Sequence, residues 1–331
     1  MDYLDKFAGK VAVVTGGAGL IGGNLVRRLT ELEAMKVIVV DDLSGGHRWS
    51  VPQHGAVEFI EASILEEQVL RRVFREKPQY VFHLAAHFAN QKAIEYPEDN
   101  LAVNGLGTLK LLEWSHLVGV ERFVFTSAGC SAYGSKAPVP LTEDFVTLYL
   151  DTPYQIHKLL GELYCNFFYE FYGLSTVKLR LFNVYGPGGV PGKYKNVIPN
   201  FIFWALQGKP LPVMGTGNES RDFTFVMDAV DGLLRAGAIE KATGETMNMG
   251  SGRETRTIDL ANLVNRITEN NAGITSIGKR DWDKSNRRFA SIERAKAVLD
   301  YNPPTQIEKG IERTVAWFKD NFDRITASAV F

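Results

Sequence analysis

The sequence predicts an α/β fold built on a doubly wound parallel sheet, and three observations carry that expectation. Short β-branched runs alternate with longer amphipathic stretches over the first two thirds of the chain, the pattern of strand–helix–strand units around a sheet buried on both faces. The first run leads through a glycine-rich loop into a helical stretch. The length, 331 residues with 45% hydrophobic content, suits one main domain with a smaller appendage.

Taken in order, strands are expected near 11–15, 37–41, 57–60, 79–84, 122–127 and 176–182, where β-branched and aromatic residues run for strand lengths. Apolar spacing predicts helices over 20–33, 66–75, 99–118 and 155–172, with Gly119 stopping the third. From Asn183 the texture changes to glycine and proline punctuation, as in Gly186-Pro187-Gly188-Gly189 and Gly208-Lys209-Pro210, followed by short elements. The chain thus divides into a sheet domain over 1–182, with 222–250 returning to it, and a smaller mixed α/β lobe over 183–221 and 251–331.

Lys plus Arg (37) and Asp plus Glu (38) nearly cancel and form no blocks, so neither nucleic acid nor a membrane surface is expected as a partner. Two cysteines, Cys130 and Cys165, lack metal-ligand spacing and point to a reducing compartment, the cytoplasm by default. No metal is expected. Residues 1–10 carry Asp2, Asp5, Lys6 and Lys10 before an apolar run of strand length, so the beginning does not read as a signal segment.

The loop Thr15-Gly16-Gly17-Ala18-Gly19-Leu20-Ile21-Gly22 joins the first strand to the first helix. Its glycines permit a tight turn, close approach of a pyrophosphate to the helix start, and close helix packing, the dinucleotide cradle of a Rossmann sheet. The second strand ends in Asp41, with Asp42 beside it, where a carboxylate accepts from the adenosine ribose and repels a 2′-phosphate. The expected cofactor is therefore NAD. Arg48 has two readings, a phosphate ligand or a solvated loop residue.

Tyr154 and Lys158 stand four residues apart on one helix face, where the ammonium favours a phenolate able to act as a base. Upstream, Phe123-Val124-Phe125-Thr126-Ser127 ends at the carboxyl edge of the sheet, where such folds bind ligands, and Ser127 is the candidate for holding the reacting hydroxyl.

With these motifs in place, the sequence resembles the extended short-chain dehydrogenase/reductase family, and within it the nucleotide-sugar epimerases and dehydratases. Its marks run in order along nearly the whole chain. They are the glycine loop, His83-Leu84-Ala85-Ala86, Asn104 before Gly107-Thr108, Tyr154 with Lys158, Arg180-Leu181-Phe182-Asn183-Val184-Tyr185-Gly186-Pro187, and Arg221-Asp222-Phe223. The resemblance implies that Tyr154 is the base and that Lys158 holds the nicotinamide ribose. It and the motifs together assign Gly16, Gly19, Leu20, Ile21, Gly22, Asp41, Asp42, Ser63, Ile64, Leu84, Ala85, Ala86, Asn104, Tyr154 and Lys158 to the cofactor. His87, Asn90, Ser127, Asn183, Asn196, Val197, Arg221, Arg280 and Arg288 are assigned to a nucleotide-diphosphate sugar, with UDP the expected nucleotide. For Arg221 the other reading is an ion pair with Asp222 or another carboxylate. For Arg280 and Arg288 it is a solvated loop, and for His87 and Asn90 it is a loop residue bonded to backbone.

Two departures from the family stand out. Ser127-Ala128-Gly129-Cys130-Ser131-Ala132-Tyr133-Gly134 is one residue longer than usual, so the catalytic hydroxyl falls to Ser127 or to a bulged Ser131. Ser63 stands where the family commonly has an aspartate for the adenine amine, and its hydroxyl can still accept a hydrogen bond. The reaction follows by comparison within the resemblance. Dehydratases carry an Asp-Glu pair where this chain has Ala, Gly and Cys, and the epimerase-reductases carry a His where it has Asn196. Oxidation at C4, rotation of the 4-keto sugar and hydride return remain, which is 4-epimerisation. A dehydratase, a reductase or a non-catalytic NAD-binding scaffold are the other readings, and Cys130, which resembles the cysteine of the epimerase-reductases, is read as a small buried thiol. Finally, apolar residues beyond one face of 155–172 predict a homodimer through the 99–118 and 155–172 helices, the other reading being cover by the chain's own C-terminal segment.

Overall fold

Seven strands make the central sheet in a computed structural model that describes residues 3–278 and 283–331. They are β1 (Val11–Thr15), β2 (Lys36–Asp41), β3 (Val57–Glu61), β4 (Tyr80–His83), β5 (Arg122–Ala128), β6 (Thr176–Leu181) and β7 (Thr246–Met249). Their spatial order is β7-β6-β5-β4-β1-β2-β3, and every pairing is parallel. All six expected strands are present within a residue or two. The seventh comes from the segment expected to return to the sheet.

Both faces of the sheet are covered because its strands are apolar on both sides. One face, with Val14, Val39 and Leu179, packs against α1 (Leu20–Glu31) and α6 (Val226–Ala238). The other, with Val13, Ile38, Phe123 and Phe125, meets α2 (Glu67–Arg75), α3 (Thr108–Val118) and α4 (Pro153–Tyr172). A separate core of Ile198, Phe201, Leu260, Val264, Ile311 and Phe318 joins α5 (Val197–Leu206), α7 (Thr257–Thr268) and α8 (Ile307–Asp320) in the smaller lobe.

The helix expected over 99–118 has three parts. A short α-helix, Pro97–Leu101, runs through a π-helical turn, Ala102–Gly107, into α3, which Gly119 ends in the left-handed conformation at φ 77. Because β1 lies between β4 and β2, the chain winds outward in both directions from it. That switch opens a crevice beyond the carboxyl ends of β1 and β4.

Candidate active site

The glycine loop sits in that crevice, and its backbone explains its residues. A Cβ on Gly16 would lie 2.6 Å from the Ala85 nitrogen, and one on Gly22 would lie 2.2 Å from the Gly16 carbonyl oxygen. Gly19 caps α1 in extended conformation without any side-chain bond, leaving the first amides of the helix for an anion. Asp41 is buried, and its two carboxylate oxygens accept from the Ala18 and Leu43 amides, each at 2.9 Å. Burial pushes its carboxyl up, and the two amides oppose that. Asp42 turns outward to Ser44. The Ala85 amide donates to Thr15 Oγ1, the Leu84 amide to the Thr15 carbonyl, and Ala86 continues the same half-buried rim. Ile64 packs on Gly107, while Ser63 Oγ accepts from the Leu65 amide at 3.2 Å. Asn104, in the π-helical turn, brackets His87 by accepting from its amide at 2.9 Å and donating to its carbonyl. These features fit a dinucleotide. Arg48 lies 4.5 Å over the Phe59 ring.

Tyr154 and Lys158 lie one turn apart and buried at the start of α4, but the ammonium does not bond the phenol. Lys158 Nζ donates to the Thr126 carbonyl at 2.9 Å and stands 5.0 Å over the Phe125 ring. Burial pushes its pKa down to about 8. The Tyr154 phenol is pushed well above its usual range, by burial first and then by Cys130. The expected phenolate is therefore not favoured by the protein's own groups. Around the ring lie Ala93, Ala128, Cys130 and, edge-on at 5.8 Å, Phe88.

Ser127, the candidate for holding the reacting hydroxyl, has its own hydroxyl engaged by a carboxylate. Its Oγ bonds Glu162 at 2.5 Å and meets Ser131 Oγ at 2.9 Å, while Ser131 also reaches Glu162 at 3.0 Å. Both candidate hydroxyls are thus drawn to one buried carboxylate, and Ala128 and Cys130 face Tyr154 instead. Cys130 feels Arg288, Asp283 and Asn90. It lines the site rather than a remote core.

On the substrate side, Arg221 and Arg288 are register partners on adjacent short strands. Arg221 is ion-paired at 2.7 Å, with Asp283 and not Asp222. The Asp222 carboxylate is occupied by the Ser251, Gly252 and Ala290 amides. Arg288 Nε and Asp283 Oδ1 are buried without a partner among the described residues, and such groups are costly unless a ligand meets them. Asn90 Oδ1 accepts from Thr152 Oγ1, Asn183 donates to the Asp222 carbonyl, and Asn196 caps α5 ahead of Val197. Arg280 lies outside the described residues.

Sequence reasoning missed the Glu162–Arg180 pair, at 2.7 Å and buried at both ends. The signal was present in Tyr154-x-x-x-Lys158-x-x-x-Glu162, three polar residues on one helical stripe that faces a sheet. It also missed Lys195, which reaches from the smaller lobe to the Gly45 carbonyl at 2.6 Å beyond Asp41.

Comparison with known proteins agrees with this geometry. The model of the NAD dependent epimerase/dehydratase family matches residues 12–250. A UDP-glucose 4-epimerase of Mycolicibacterium smegmatis is 33% identical over 319 residues, covering 93% of this chain and 98% of that protein. Among solved structures, the epimerase Mth375 of Methanothermobacter thermautotrophicus is similar at 49% identity and TM-score 0.98, covering 100% of this chain and 98% of its own. The Bordetella bronchiseptica enzyme WbmF, solved in complex with NAD+ and UDP, matches at 37% identity and TM-score 0.87, covering 98% and 96%. A glycine loop with a buried acid at the end of the next strand, a buried tyrosine and lysine on one helix, and relatives that match almost end to end lead to one conclusion: the chain belongs to the NAD dependent epimerase/dehydratase family.

Proposed function

We propose that this chain is an NAD-dependent 4-epimerase of a nucleotide-diphosphate sugar, with a UDP-sugar as substrate. The observation that carries this reading is the buried Tyr154 and Lys158 pair beside a turn that contributes no acid. Ala128, Gly129 and Cys130 hold the places where elimination would need carboxyl groups, and the nearby Glu162 carboxylate is bound to Arg180. NAD would be held by the Gly16–Gly22 loop, Asp41 and Lys158, and would supply the hydride acceptor and donor that reversible oxidation at C4 requires. Tyr154 takes the proton of the sugar 4-hydroxyl and gives it back. Lys158, fixed by the Thr126 carbonyl, keeps positive charge near that proton. Arg221, Arg288 and the carboxamides of Asn183 and Asn196 are assigned to the diphosphate and nucleotide, with Arg221 exchanging Asp283 for phosphate oxygens. The cofactor is assigned to the sheet domain 1–182 with 222–250, and the sugar nucleotide to 183–221 with 251–331.

The test is incubation with UDP-, CDP-, GDP- and dTDP-sugars while following C4 isomers. Tyr154→Phe is expected to lose turnover by about 100-fold or more while retaining NAD. Near-normal turnover in that variant overturns the mechanism.

We infer further that the enzyme is a homodimer through the helices of 97–118 and α4. The outward residues Leu117 (71% exposed) and Phe171 (71%) support this, and the C-terminal helices pack on α5 and α7 rather than over α4. A cytoplasmic setting suits two free thiols.

A further inference from the structure

Two helical turns beyond Tyr154, facing the sheet, stands a carboxylate that the reaction described above does not use. Glu162 Oε1 accepts from Ser127 Oγ at 2.5 Å, Ser131 Oγ at 3.0 Å and Arg180 Nε at 3.0 Å, and Oε2 accepts from Arg180 Nη2 at 2.7 Å. Glu162 and Arg180 are each 3% exposed. Arg180 Nη1 donates onward to Tyr133 Oη at 2.9 Å, and that hydroxyl donates to Asn248 on β7 at 2.6 Å. A buried carboxylate is costly unless its lone pairs are filled, and here every donor but one pair comes from Arg180. The exceptions are the two serines, and they bracket Ala128-Gly129-Cys130.

That bracket bears on the reaction. Ala128 and Cys130 are the turn residues that pack on Tyr154. Gly129 between them is pressed so closely to Phe182 that a Cβ would lie 2.7 Å from its ring. With both ends tied to one carboxylate and the middle against an aromatic ring, the turn has a single arrangement. We propose that Glu162 is a positioning residue: held by Arg180, it anchors Ser127 and Ser131 and so sets the wall of the site against which Tyr154 transfers its proton. This rests on the reading of Tyr154 as the proton-transferring group.

Electrostatics offer a readout that a merely structural role would not move. The charged and titratable groups facing Lys158 are Glu162 and Cys165 on its own helix and His83 on β4, with Arg180 and Lys178 of β6 beyond Glu162. Glu162 opposes the burial that pushes Lys158 down. Without the carboxylate, Arg180 remains as an unpaired cation, and Lys158 releases its proton at lower pH.

The experiment compares the NAD-loaded wild-type enzyme with Glu162→Gln, Glu162→Asp, Tyr154→Phe and the Ser127→Ala/Ser131→Ala double variant, using a UDP-sugar. For Glu162→Gln the expected result is a kcat lower by about 10- to 100-fold with KM within about 3-fold. NAD content should be unchanged, and the alkaline limb of the pH profile should lie at lower pH. Glu162→Asp, which keeps the charge, is expected to return that limb to its wild-type position. A folded Glu162→Gln enzyme with wild-type kcat and pH profile, beside an inactive Tyr154→Phe, overturns the positioning role alone. Full turnover in Tyr154→Phe overturns the proton-transfer assignment and the positioning role with it. Should Glu162→Gln fail to fold, the double serine variant decides, because it leaves the Glu162–Arg180 pair intact. Lowered kcat with NAD retained supports the anchor, and wild-type kcat overturns it.

Discussion

Lys158 donates to the Thr126 carbonyl on the sheet-facing side of α4, and burial, only partly opposed by Cys165 and Glu162, lowers its pKa from an ordinary 10.5 to about 8. That difference is worth about 3 kcal/mol against the charged form. The sign follows from linkage: between about 8 and 10.5 the unfolded chain binds the proton that the folded chain has lost, so this residue's contribution to stability improves as pH rises through that window. Lys158→Met is therefore expected to raise Tm at neutral pH while abolishing turnover, and a calorimetric scan beside an activity assay checks both. Asp41 makes the complementary argument. Its carboxylate is held at 2.9 Å by the Ala18 and Leu43 amides, with lone pairs left for ribose hydroxyls. A 2′-phosphate there would meet like charge in a partly desolvated site, so NAD should bind more tightly than NADP by about 10-fold or more. Calorimetry with both dinucleotides measures the ratio, and Asp41→Asn should narrow it.

At the scale of elements, the proposed function places the cofactor at the strand-to-helix join and the proton transfer on α4. Gly22 lies in the first turn of α1 against the loop, and an alanine Cβ would meet the Gly16 carbonyl at 2.2 Å and Gly17 Cα at 2.6 Å. Gly22→Ala must push the loop off the helix. A stability loss on the order of 2 kcal/mol is expected, with NAD largely gone after gel filtration, and full retention of NAD would contradict the cradle. The orientation of α4 is less obvious from its residues. Its buried stripe is Tyr154, Lys158, Gly161, Glu162, Cys165 and Phe168, while Ile156, Leu163, Phe167 and Phe171 point outward. The more polar face turns to the sheet because β5 and β6 offer it Thr126, Ser127 and Arg180 as partners. Hydrophobic periodicity alone would have turned the helix the other way.

For the whole molecule, the proposed dimer rests on that outward apolar stripe. Ile156 (50% exposed), Leu163 (56%) and Phe171 (71%) on α4, with Leu106 (48%) and Leu117 (71%) on the neighbouring helical run, are the apolar surface that a two-fold helical interface would bury. Light scattering should give about twice 36.9 kDa, and Phe171→Asp should shift the population toward the monomer. Sequence by itself determined the strands of the sheet, the glycine loop, the acid at the end of the second strand and the Tyr154–Lys158 spacing. Each of these is a local pattern whose chemistry is complete within a few residues, as Gly16 to Gly22 or Tyr154 to Lys158 show. The tertiary structure decided where side chains with distant partners point. Ser127 turns to a carboxylate 35 positions away and Arg221 to one 62 positions away. In both cases a charge withdrawn from water demands hydrogen-bond or ion-pair partners from whatever the fold brings within reach, and no window of sequence contains that information.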